Sequence, residues 1–308
     1  MRAFIFPGQG SQSVGMGVAL ADASRAAKDV FDEVDEALGQ NLFRLMRDGP
    51  DDELKLTENA QPAIMAHSLA VLRTMGVRLP DVASFVAGHS LGEYSALCAA
   101  GSFDLATTAR LLKLRGQAMQ QAVPVGQGAM AALLGADLSL AQRIAETASE
   151  GEVCTVANDN DPSQVVISGQ KSAIDRAIAM AKDMGAKRAV PLPVSAPFHC
   201  PLMQPAAEAM RDALSYVVVA PPTVPVFANV AAGPESDPDT IRDQLVEQVT
   251  GMVRWRESVA NMVDIGVHEF VEIGGKVLGA MVKRIAPDAK VTSLVTIEDV
   301  EAAAKEIV

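Results

Sequence analysis

The stretch between residues 85 and 100 constrains most strongly what this chain can fold into. Small and branched apolar residues at 85–87 are followed by Gly-His-Ser-Leu-Gly at 88–92 and then by an alanine-rich apolar run. This order is typical of a buried strand, a sharp turn and a helix. Glycines two residues on either side of Ser90 avoid the clash that a Cβ would cause in such a turn. The pattern predicts a strand-turn-helix unit that exposes the Ser90 hydroxyl at a sheet edge.

A serine in this position is a candidate nucleophile. Leu91 and Gly92 would begin the helix, where unpaired amides and the helix dipole can stabilise an oxyanion. We therefore predict that Ser90 is catalytic. The alternative is a tight turn whose serine only caps the helix.

Composition and charge exclude several classes of protein. The 308 residues, 49% hydrophobic and 21% charged, can form a large core in one or two domains. A net charge of -12 argues against nucleic acid or an anionic membrane as partner, since both require basic surface. No apolar run approaches the ~20 residues of a membrane span, and Pro7 interrupts the first apolar segment too early for a signal sequence. We expect a cytoplasmic enzyme.

The cysteines predict neither disulfides nor a metal site. Cys98, Cys154 and Cys200 are odd in number, widely spaced and without a C-x-x-C pair, which favours reduced thiols. Cys200 follows a histidine, but sequence neighbours generally point apart. We expect no bound metal.

A second glycine-rich loop follows the first predicted strand, residues 2–6. In a dinucleotide-binding loop the third glycine would fall at Ser13, and no second strand ending in an acid follows at the usual distance. The alternative is that this loop supplies a second backbone amide to an oxyanion hole, as in other elbow enzymes. Gln9 is then the candidate donor.

The remaining pattern predicts an α/β fold with two units. Residues 124–194 read as β-α-β-β-α-β, which matches a ferredoxin-like small domain, with 158–161 as a polar turn between its middle strands. Strands and helices alternate elsewhere, which indicates a mainly parallel sheet with helices on both faces. Apolar spacing predicts helices over 22–38, 57–75 and, in the small unit, 172–184, and a strand over 226–230. We predict an α/β-hydrolase-like catalytic domain from 1–123 and 195–308, into which the small domain is inserted.

A nucleophilic serine requires a base within hydrogen-bond reach, and the chain has four histidines. His89 is adjacent to Ser90 and should point the other way, His67 lies within a predicted helix, and His268 precedes a predicted strand. His199 remains, in a proline-rich loop after the elbow. This Ser-then-His order is that of α/β-hydrolase-like enzymes.

Six motifs occur in an order that is highly specific. They are Phe6-Pro7-Gly8-Gln9-Gly10-Ser11-Gln12, Gly88-His89-Ser90-Leu91-Gly92-Glu93-Tyr94, Arg115-Gly116, Gly128-Ala129-Met130-Ala131-Ala132, Gln164-Val165-Val166-Ile167-Ser168-Gly169 and Pro197-Phe198-His199. With these motifs the chain resembles, nearly end to end, the malonyl-CoA:acyl carrier protein transacylases of type II fatty acid synthesis.

The resemblance implies an activity and its partners. Such an enzyme moves a malonyl group from coenzyme A to the phosphopantetheine thiol of acyl carrier protein, through a malonyl-serine ester and without a bound cofactor. By this resemblance, Ser90 is the nucleophile and His199 the base. Gln9 and Leu91 supply the oxyanion-hole amides, and Arg115 binds the malonyl carboxylate. If so, Arg110 and Lys113 should lie on other faces of the same helix.

Two further residues receive roles. By the resemblance, the backbone carbonyl of Gln248 orients His199, so that no acidic third residue is required. Phe198 should narrow the pocket beside the acyl group and determine selectivity, unless it only anchors its loop in the core.

One departure and two rival functions accompany the resemblance. The family's Gly-Pro-Gly-Lys turn is one residue shorter here, Gly274-Gly275-Lys276.

Because coenzyme A and the carrier protein are anionic, we predict a basic docking surface that includes Lys276, Lys283 and Arg284. A serine thioesterase or esterase would share the elbow and base, and a carrier-binding module without activity is a third possibility.

Overall fold

The computed structural model describes the backbone of residues 1–307 and the side chains of residues 1–304. Ten strands are formed in this part of the chain: β1 Arg2–Phe6, β2 Phe85–Gly88, β3 Gly128–Leu134, β4 Cys154–Asp161, β5 Gln164–Gln170, β6 Arg188–Pro191, β7 Val226–Phe227, β8 Pro234–Glu235, β9 Glu269–Ile273 and β10 Lys290–Leu294.

Fifteen α-helices lie between and after these strands in the described chain. They are α1 Val18–Ala23, α2 Arg25–Leu38, α3 Leu42–Asp48, α4 Asp51–Leu54, α5 Thr57–Met75, α6 Leu79–Val82, α7 Leu91–Ala99, α8 Leu105–Ala122, α9 Leu138–Ser149, α10 Lys171–Met180, α11 Gln204–Ser215, α12 Pro238–Thr250, α13 Trp255–Asp264, α14 Leu278–Ile285 and α15 Ile297–Ile307. A short 3₁₀ helix, Pro201–Met203, precedes α11.

Two sheets organise these elements. The larger has the strand order β10-β9-β1-β2-β7-β8, in which every pair is parallel except the short β7–β8 pair. The smaller has the order β4-β5-β3-β6, and all its pairs are antiparallel. The predicted α/β class with a mainly parallel sheet is confirmed.

Both faces of the larger sheet are buried, as the alternation along β1 shows. Phe4 and Phe6 belong to the main core beneath the long helices, whereas Ala3 and Ile5 face a second cluster with Trp255. Successive strand side chains point to opposite faces, so this pattern requires helices on both sides. The smaller sheet buries its own apolar face against α9 and α10.

The register of β1 and β2 places two functional loops side by side. These strands are parallel neighbours, and Phe6 lies opposite Gly88. The loop after β1 and the elbow after β2 therefore leave the same edge of the sheet together. Ligands of open α/β sheets bind at this carboxyl edge of the strands.

The predicted polar turn at 158–161 is wrong, because β4 continues through Asp161. The chain there is polar but buried, and its backbone pairs with Val253 of the larger unit. Arg256 and Arg284 bind the side chains of Asp159 and Asp161. These contacts with distant residues outweigh the local preference of Asn and Asp for turns.

Other predicted boundaries also differ. The predicted strand 226–230 is reduced to two residues, and the helix predicted over 172–184 ends at Met180. The helix predicted over 22–38 is broken at Ser24, which caps α2 by accepting a hydrogen bond from Ala27 N. Strand β10 and helix α15 were not predicted.

Candidate active site

The elbow forms as its glycines require. Ser90 lies between β2 and α7 with φ 55° and ψ -113°, a strained conformation for a residue with a side chain. A Cβ on Gly88 would lie 1.9 Å from the carbonyl oxygen of Gly92, and one on Gly92 would lie 2.3 Å from that of Phe6. Only glycine fits at either position, so the turn can hold the serine above the strand ends.

Ser90 and His199 form a hydrogen-bonded pair. The Ser90 Oγ lies 2.8 Å from His199 Nε2. His199 Nδ1 faces two backbone carbonyls, those of Gln248 at 2.9 Å and Gly251 at 3.2 Å. Because both of these partners can only accept, Nδ1 carries the proton and Nε2 presents a lone pair to the serine hydroxyl. This is the arrangement of a general base and its nucleophile.

The surroundings of His199 favour its neutral form. The residue is 3% exposed. Burial, reinforced by the positive charge of Arg115, lowers the pKa of His199 to about 3. The imidazole is therefore unprotonated at neutral pH and able to accept the serine proton.

Arg115 is almost completely buried, at 1% exposure, and its partners are neutral. Its two Nη atoms donate to the side-chain oxygens of Gln61 and Gln248, each at 2.9 Å, and Nη2 also donates to Ser90 Oγ at 3.2 Å. The guanidinium lies 5.7 Å from the centre of the Tyr94 ring. Across the side chains of residues 1–304, no carboxylate forms an ion pair with Arg115. The site thus holds a cation without a direct carboxylate partner beside the nucleophile.

The other two basic residues of α8 point elsewhere, as predicted. Arg110 is exposed and donates to the carbonyl of Ala37. Lys113 forms an ion pair with Glu58 at 3.1 Å. Composition could not single out Arg115 among the three. The resemblance did, and the helical rotation between them places the other two on different faces.

A layer of polar side chains supports the site from behind. The Ser90 amide donates to Asn229 Oδ1, and Asn229 Nδ2 donates to the carbonyl of Gly88, each at 2.7 Å. Glu93 Oε2 accepts hydrogen bonds from Gln248 Nε2 at 2.7 Å and from the backbone N–H of Asn229 at 3.0 Å. The elbow, the arginine and the histidine are therefore connected through Gln248 and Asn229.

Three of these residues were missed in the sequence: Gln61, Glu93 and Asn229. Glu93 follows Ser90 by three residues on an apolar helix. An acidic residue in a helix predicted to be buried is unusual, and this signal could have identified Glu93. Gln61 and Asn229 lie on distant elements with no local pattern. Only the tertiary fold brings them to the site.

A cleft of about 480 Å³ opens over Ser90 and is lined by both units. Its walls include Gln9, Leu91 and Phe198 of the larger unit, and Asn158, Asn160, Gln164 and Val166 of the smaller one. Leu91 begins α7, so its amide has no acceptor within the helix. The loop that carries Gln9 packs on the elbow, since a Cβ on Gly8 would lie 2.8 Å from the carbonyl oxygen of His89.

Comparison with known proteins agrees with this geometry. Residues 3–295 match the acyl transferase domain family. The malonyl CoA-acyl carrier protein transacylase of Escherichia coli K12 is 45% identical over 293 residues, which cover 95% of each chain. The chain belongs to the malonyl CoA-acyl carrier protein transacylase family. The family predicted from its sequence motifs is thereby confirmed.

Solved structures of this transacylase family are closely similar to the chain. The crystal structure of an acyl-carrier-protein-S-malonyltransferase from Bartonella henselae has a TM-score of 0.97 and 52% identity, and 99% of each chain is covered. A malonyl-transacylase solved in complex with its type II PKS acyl-carrier protein has a TM-score of 0.96 and 40% identity, with 99% of each chain covered.

In this member of the transacylase family, the remaining histidines have other contacts. His89 Nε2 lies 2.8 Å from Asn160 Oδ1, so its ring points away from Ser90 as predicted. His67 is buried within α5 and contacts the carbonyl of Val295. His268 lies 2.9 Å from the N-terminal amine. Of the four, His199 alone forms a hydrogen bond with Ser90 in the described structure.

The cysteines of the transacylase chain are all free. Cys200 Sγ contacts the carbonyl of Pro197 and not its neighbour His199. Among the described residues, no cluster of three or more His, Cys, Asp or Glu could hold a metal ion.

The shortened turn after β9 is held by a buried carboxylate. Glu272 accepts hydrogen bonds from the amides of Val277, Leu278 and Gly279, at 2.8, 2.9 and 2.8 Å. These bonds fix the start of α14, and Val277 and Leu278 line the cleft. Although the turn lacks the family's proline, the residues that follow it still line the cleft.

The predicted docking surface next to this turn has mixed contacts. Lys276 lies 3.6 Å from Asp299, and Lys283 donates to the carbonyl of Ala289 at 2.6 Å. Arg284 binds the fully buried Asp161 at 2.8 Å. Docking by Lys276 and Lys283 stays a prediction, whereas charge reversal at Arg284 would also leave a buried carboxylate unpaired.

Proposed function

We propose that the chain transfers a malonyl group from malonyl-CoA to the phosphopantetheine thiol of acyl carrier protein. One observation carries this proposal: a buried arginine without a carboxylate partner donates to the oxygen of a serine that is paired with a neutral histidine. A guanidinium in such a site selects an acyl group with a free carboxylate, which it can bind bidentately. The names of the relatives support the same reaction.

In the first half-reaction, His199 Nε2 accepts the Ser90 proton while Oγ attacks the thioester carbonyl. The backbone amides of Gln9 and Leu91 would stabilise the oxyanion of the tetrahedral intermediate. When the intermediate collapses, the C–S bond breaks, and the sulfur of coenzyme A leaves with the proton from His199. The product is a malonyl-serine ester.

The second half-reaction reverses these steps with another thiol. The phosphopantetheine thiol of the carrier gives its proton to His199 and attacks the ester carbonyl, and Ser90 recovers its proton as it leaves. Because both carriers present a thiol on the same arm, they use one site in turn, which gives ping-pong kinetics. No bound cofactor is required for either step.

The roles of the other site residues belong to the same proposal. Arg115 binds the malonyl carboxylate. The carbonyl of Gln248 keeps His199 in the reactive tautomer, as the 2.9 Å contact with Nδ1 supports. Phe198, which is 8% exposed and lines the cleft, limits the substituents that the acyl group can carry.

We propose the finer fold description as well. The strand order β4-β5-β3-β6 and the sequence β3-α9-β4-β5-α10-β6 support a ferredoxin-like domain at 124–194. The elbow and the parallel sheet support an α/β-hydrolase-like domain at 1–123 and 195–308. None of the helices in residues 1–307 is both long enough and apolar enough to cross a membrane. We propose cytoplasmic action, as expected from the sequence.

Acylation with malonyl-CoA tests the proposed function. Incubation without an acceptor, followed by peptide mapping, should give a malonyl adduct on Ser90, and addition of carrier protein should remove the adduct with stoichiometric formation of malonyl carrier. A serine thioesterase would instead release free malonate at the same rate with or without the carrier. Absence of both an adduct and released malonate would exclude both enzymes and leave the carrier-binding alternative.

Substitution of Phe198 by serine tests its selectivity role. The smaller side chain should admit a methyl branch beside the carbonyl, so acylation by methylmalonyl-CoA should improve by about tenfold relative to malonyl-CoA, the range expected for one methyl group in an apolar pocket. Single-turnover acylation with the two thioesters measures this ratio. An unchanged ratio in a folded variant would instead make Phe198 an anchor of its loop.

A further inference from the structure

The buried carboxylate of Glu93 has no place in the reaction described above. It is 2% exposed, and it lies on α7, one turn after the nucleophile. We propose that Glu93 is a specificity-determining residue that competes with the malonyl carboxylate for the charge of Arg115. This inference rests on the proposed function, because it assumes that Arg115 binds the carboxylate of the acyl group.

The connection between Glu93 and Arg115 passes through a single amide group. Gln248 Nε2 donates to Glu93 Oε2 at 2.7 Å, and Gln248 Oε1 accepts from Arg115 Nη2 at 2.9 Å. A guanidinium can only donate and a carboxylate can only accept, so the orientation of the amide between them is fixed. Gln248 Nε2 also donates to the carbonyl of Ser90 at 3.1 Å, which is consistent with this orientation.

The amide separates two charges that would otherwise form an ion pair. A carboxylate in direct contact would occupy the donors of Arg115 that a substrate must use. With Gln248 between them, Glu93 compensates the buried cation electrostatically while the guanidinium has only neutral partners. A malonyl carboxylate can therefore displace an amide oxygen, which is less costly than displacing a charged group.

Binding of malonyl changes the environment of Glu93. The substrate carboxylate compensates Arg115 from the cleft side, and the two carboxylates then face each other across one guanidinium. Like charges in a buried site disfavour the ionised form of the weaker acid. Malonyl binding should therefore favour protonation of Glu93, and ionisation of Glu93 should weaken malonyl binding to the same extent, since such coupling is reciprocal.

The groups around Glu93 allow this titration to be observed near neutral pH. Burial raises the pKa of Glu93 to about 7, against the opposing effects of its hydrogen bonds and of Arg115. The titratable groups that face it are Arg115 from α8, the neighbouring Tyr94 and, beyond Gln248, His199. Burial raises the pKa of Tyr94 and lowers that of His199 to about 3, so neither titrates near pH 7. Gln61, Gln248 and Asn229 complete the shell and are neutral.

The test compares malonyl-CoA with acetyl-CoA. Single-turnover acylation of the wild type, Glu93→Gln and the control Glu269→Gln gives an apparent dissociation constant for each thioester between about pH 6 and pH 8.5, a range centred on the raised carboxyl pKa. Ionisation of the coenzyme A phosphates affects both thioesters and cancels in the ratio of the constants. Glu269 is a part-buried, ion-paired glutamate at the opposite end of its strand from the cleft.

In the wild type, the apparent dissociation constant of malonyl-CoA should rise about tenfold relative to that of acetyl-CoA as the pH increases over this range. This is the effect expected for two charges separated by one layer of residues. Glu93→Gln keeps an acceptor oxygen for Gln248 and Asn229 but has no charge, so its ratio should be independent of pH and match the wild type at the acid end. Glu269→Gln should behave as the wild type.

Two results would overturn the inference. One is a ratio of the two dissociation constants that does not change with pH in the wild type. This measurement remains valid even if Glu93→Gln does not fold. The other is a Glu93→Gln variant that binds both thioesters equally more weakly, which would make Glu93 structural. If the wild type forms no malonyl adduct at any pH, the proposed function itself fails.

Discussion

Replacement of His199 by alanine should slow acylation of Ser90 by malonyl-CoA by about 10²–10⁴-fold, the usual contribution of a general base. The serine proton is accepted by Nε2 at 2.8 Å, and no other histidine forms a hydrogen bond with Ser90 in the described structure. Rapid-quench measurement of the malonyl-enzyme gives the rate. Ser90→Ala, which cannot form the ester, supplies the background.

The pH dependence of this step follows from the burial of His199. Since its pKa is lowered to about 3, the base stays unprotonated well below the ordinary histidine range. With saturating malonyl-CoA, the acylation rate should therefore show no loss as pH falls through about 6.5, the pKa of an exposed histidine. A rate that halves near that pH, or a His199→Ala variant with nearly normal acylation, would show that another base acts.

Arg115→Ala should depress malonyl acylation by roughly 30-fold to several thousand-fold and affect acetyl acylation little. Removal of one partner of a buried charge pair commonly costs about 2–5 kcal/mol, because the other charge is left unpaired, and each decade corresponds to about 1.4 kcal/mol. An acetyl group has no carboxylate to leave unpaired, so the loss should be specific to malonyl. Parallel single-turnover acylation with the two thioesters measures it.

The chain offers a matched control on the same helix. Arg110→Ala removes an exposed guanidinium of α8 that donates a hydrogen bond to the carbonyl of Ala37, away from Ser90, and both thioesters should react at the wild-type rate. An equal loss for malonyl and acetyl in Arg115→Ala, with Arg110→Ala unaffected, would mean that Arg115 supports the structure and that the carboxylate is bound elsewhere.

The parts of the site that were predictable depend on local geometry. The glycines beside Ser90 are required by contacts within one turn, so a five-residue pattern was sufficient to predict the elbow. Helix α5 begins at Thr57 and ends at Met75 as predicted, because the glycine that follows, Gly76, terminates the helix in a left-handed conformation. His199 could be selected because the chain contains few histidines and the others had structural explanations.

The parts that were not predictable depend on partners far away in the chain. Asn158–Asp161 favours a turn by composition, but it continues a strand because Val253 and two arginines of the larger unit pair with it. Gln61 and Asn229 acquire their roles only where α5 and the segment after β7 meet the elbow. Such contacts have no periodicity along the sequence.

The end of β4 keeps two carboxylates out of the cleft. Asn158 and Asn160 line the cleft, whereas Asp159 and Asp161 point the opposite way and bind Arg256 and Arg284. The ladder with β5 is irregular at Asn158 and Asp161, yet the two sets still face opposite ways. A deletion that shifts this segment by one residue would exchange them, since alternate residues of a strand face opposite sides. Two carboxylates would then face an anionic substrate, and the ion pairs of Asp159 and Asp161 with the two arginines would be lost. The length of this segment therefore controls the charge that faces the substrate. A one-residue deletion that preserves every functional side chain is expected to weaken substrate binding.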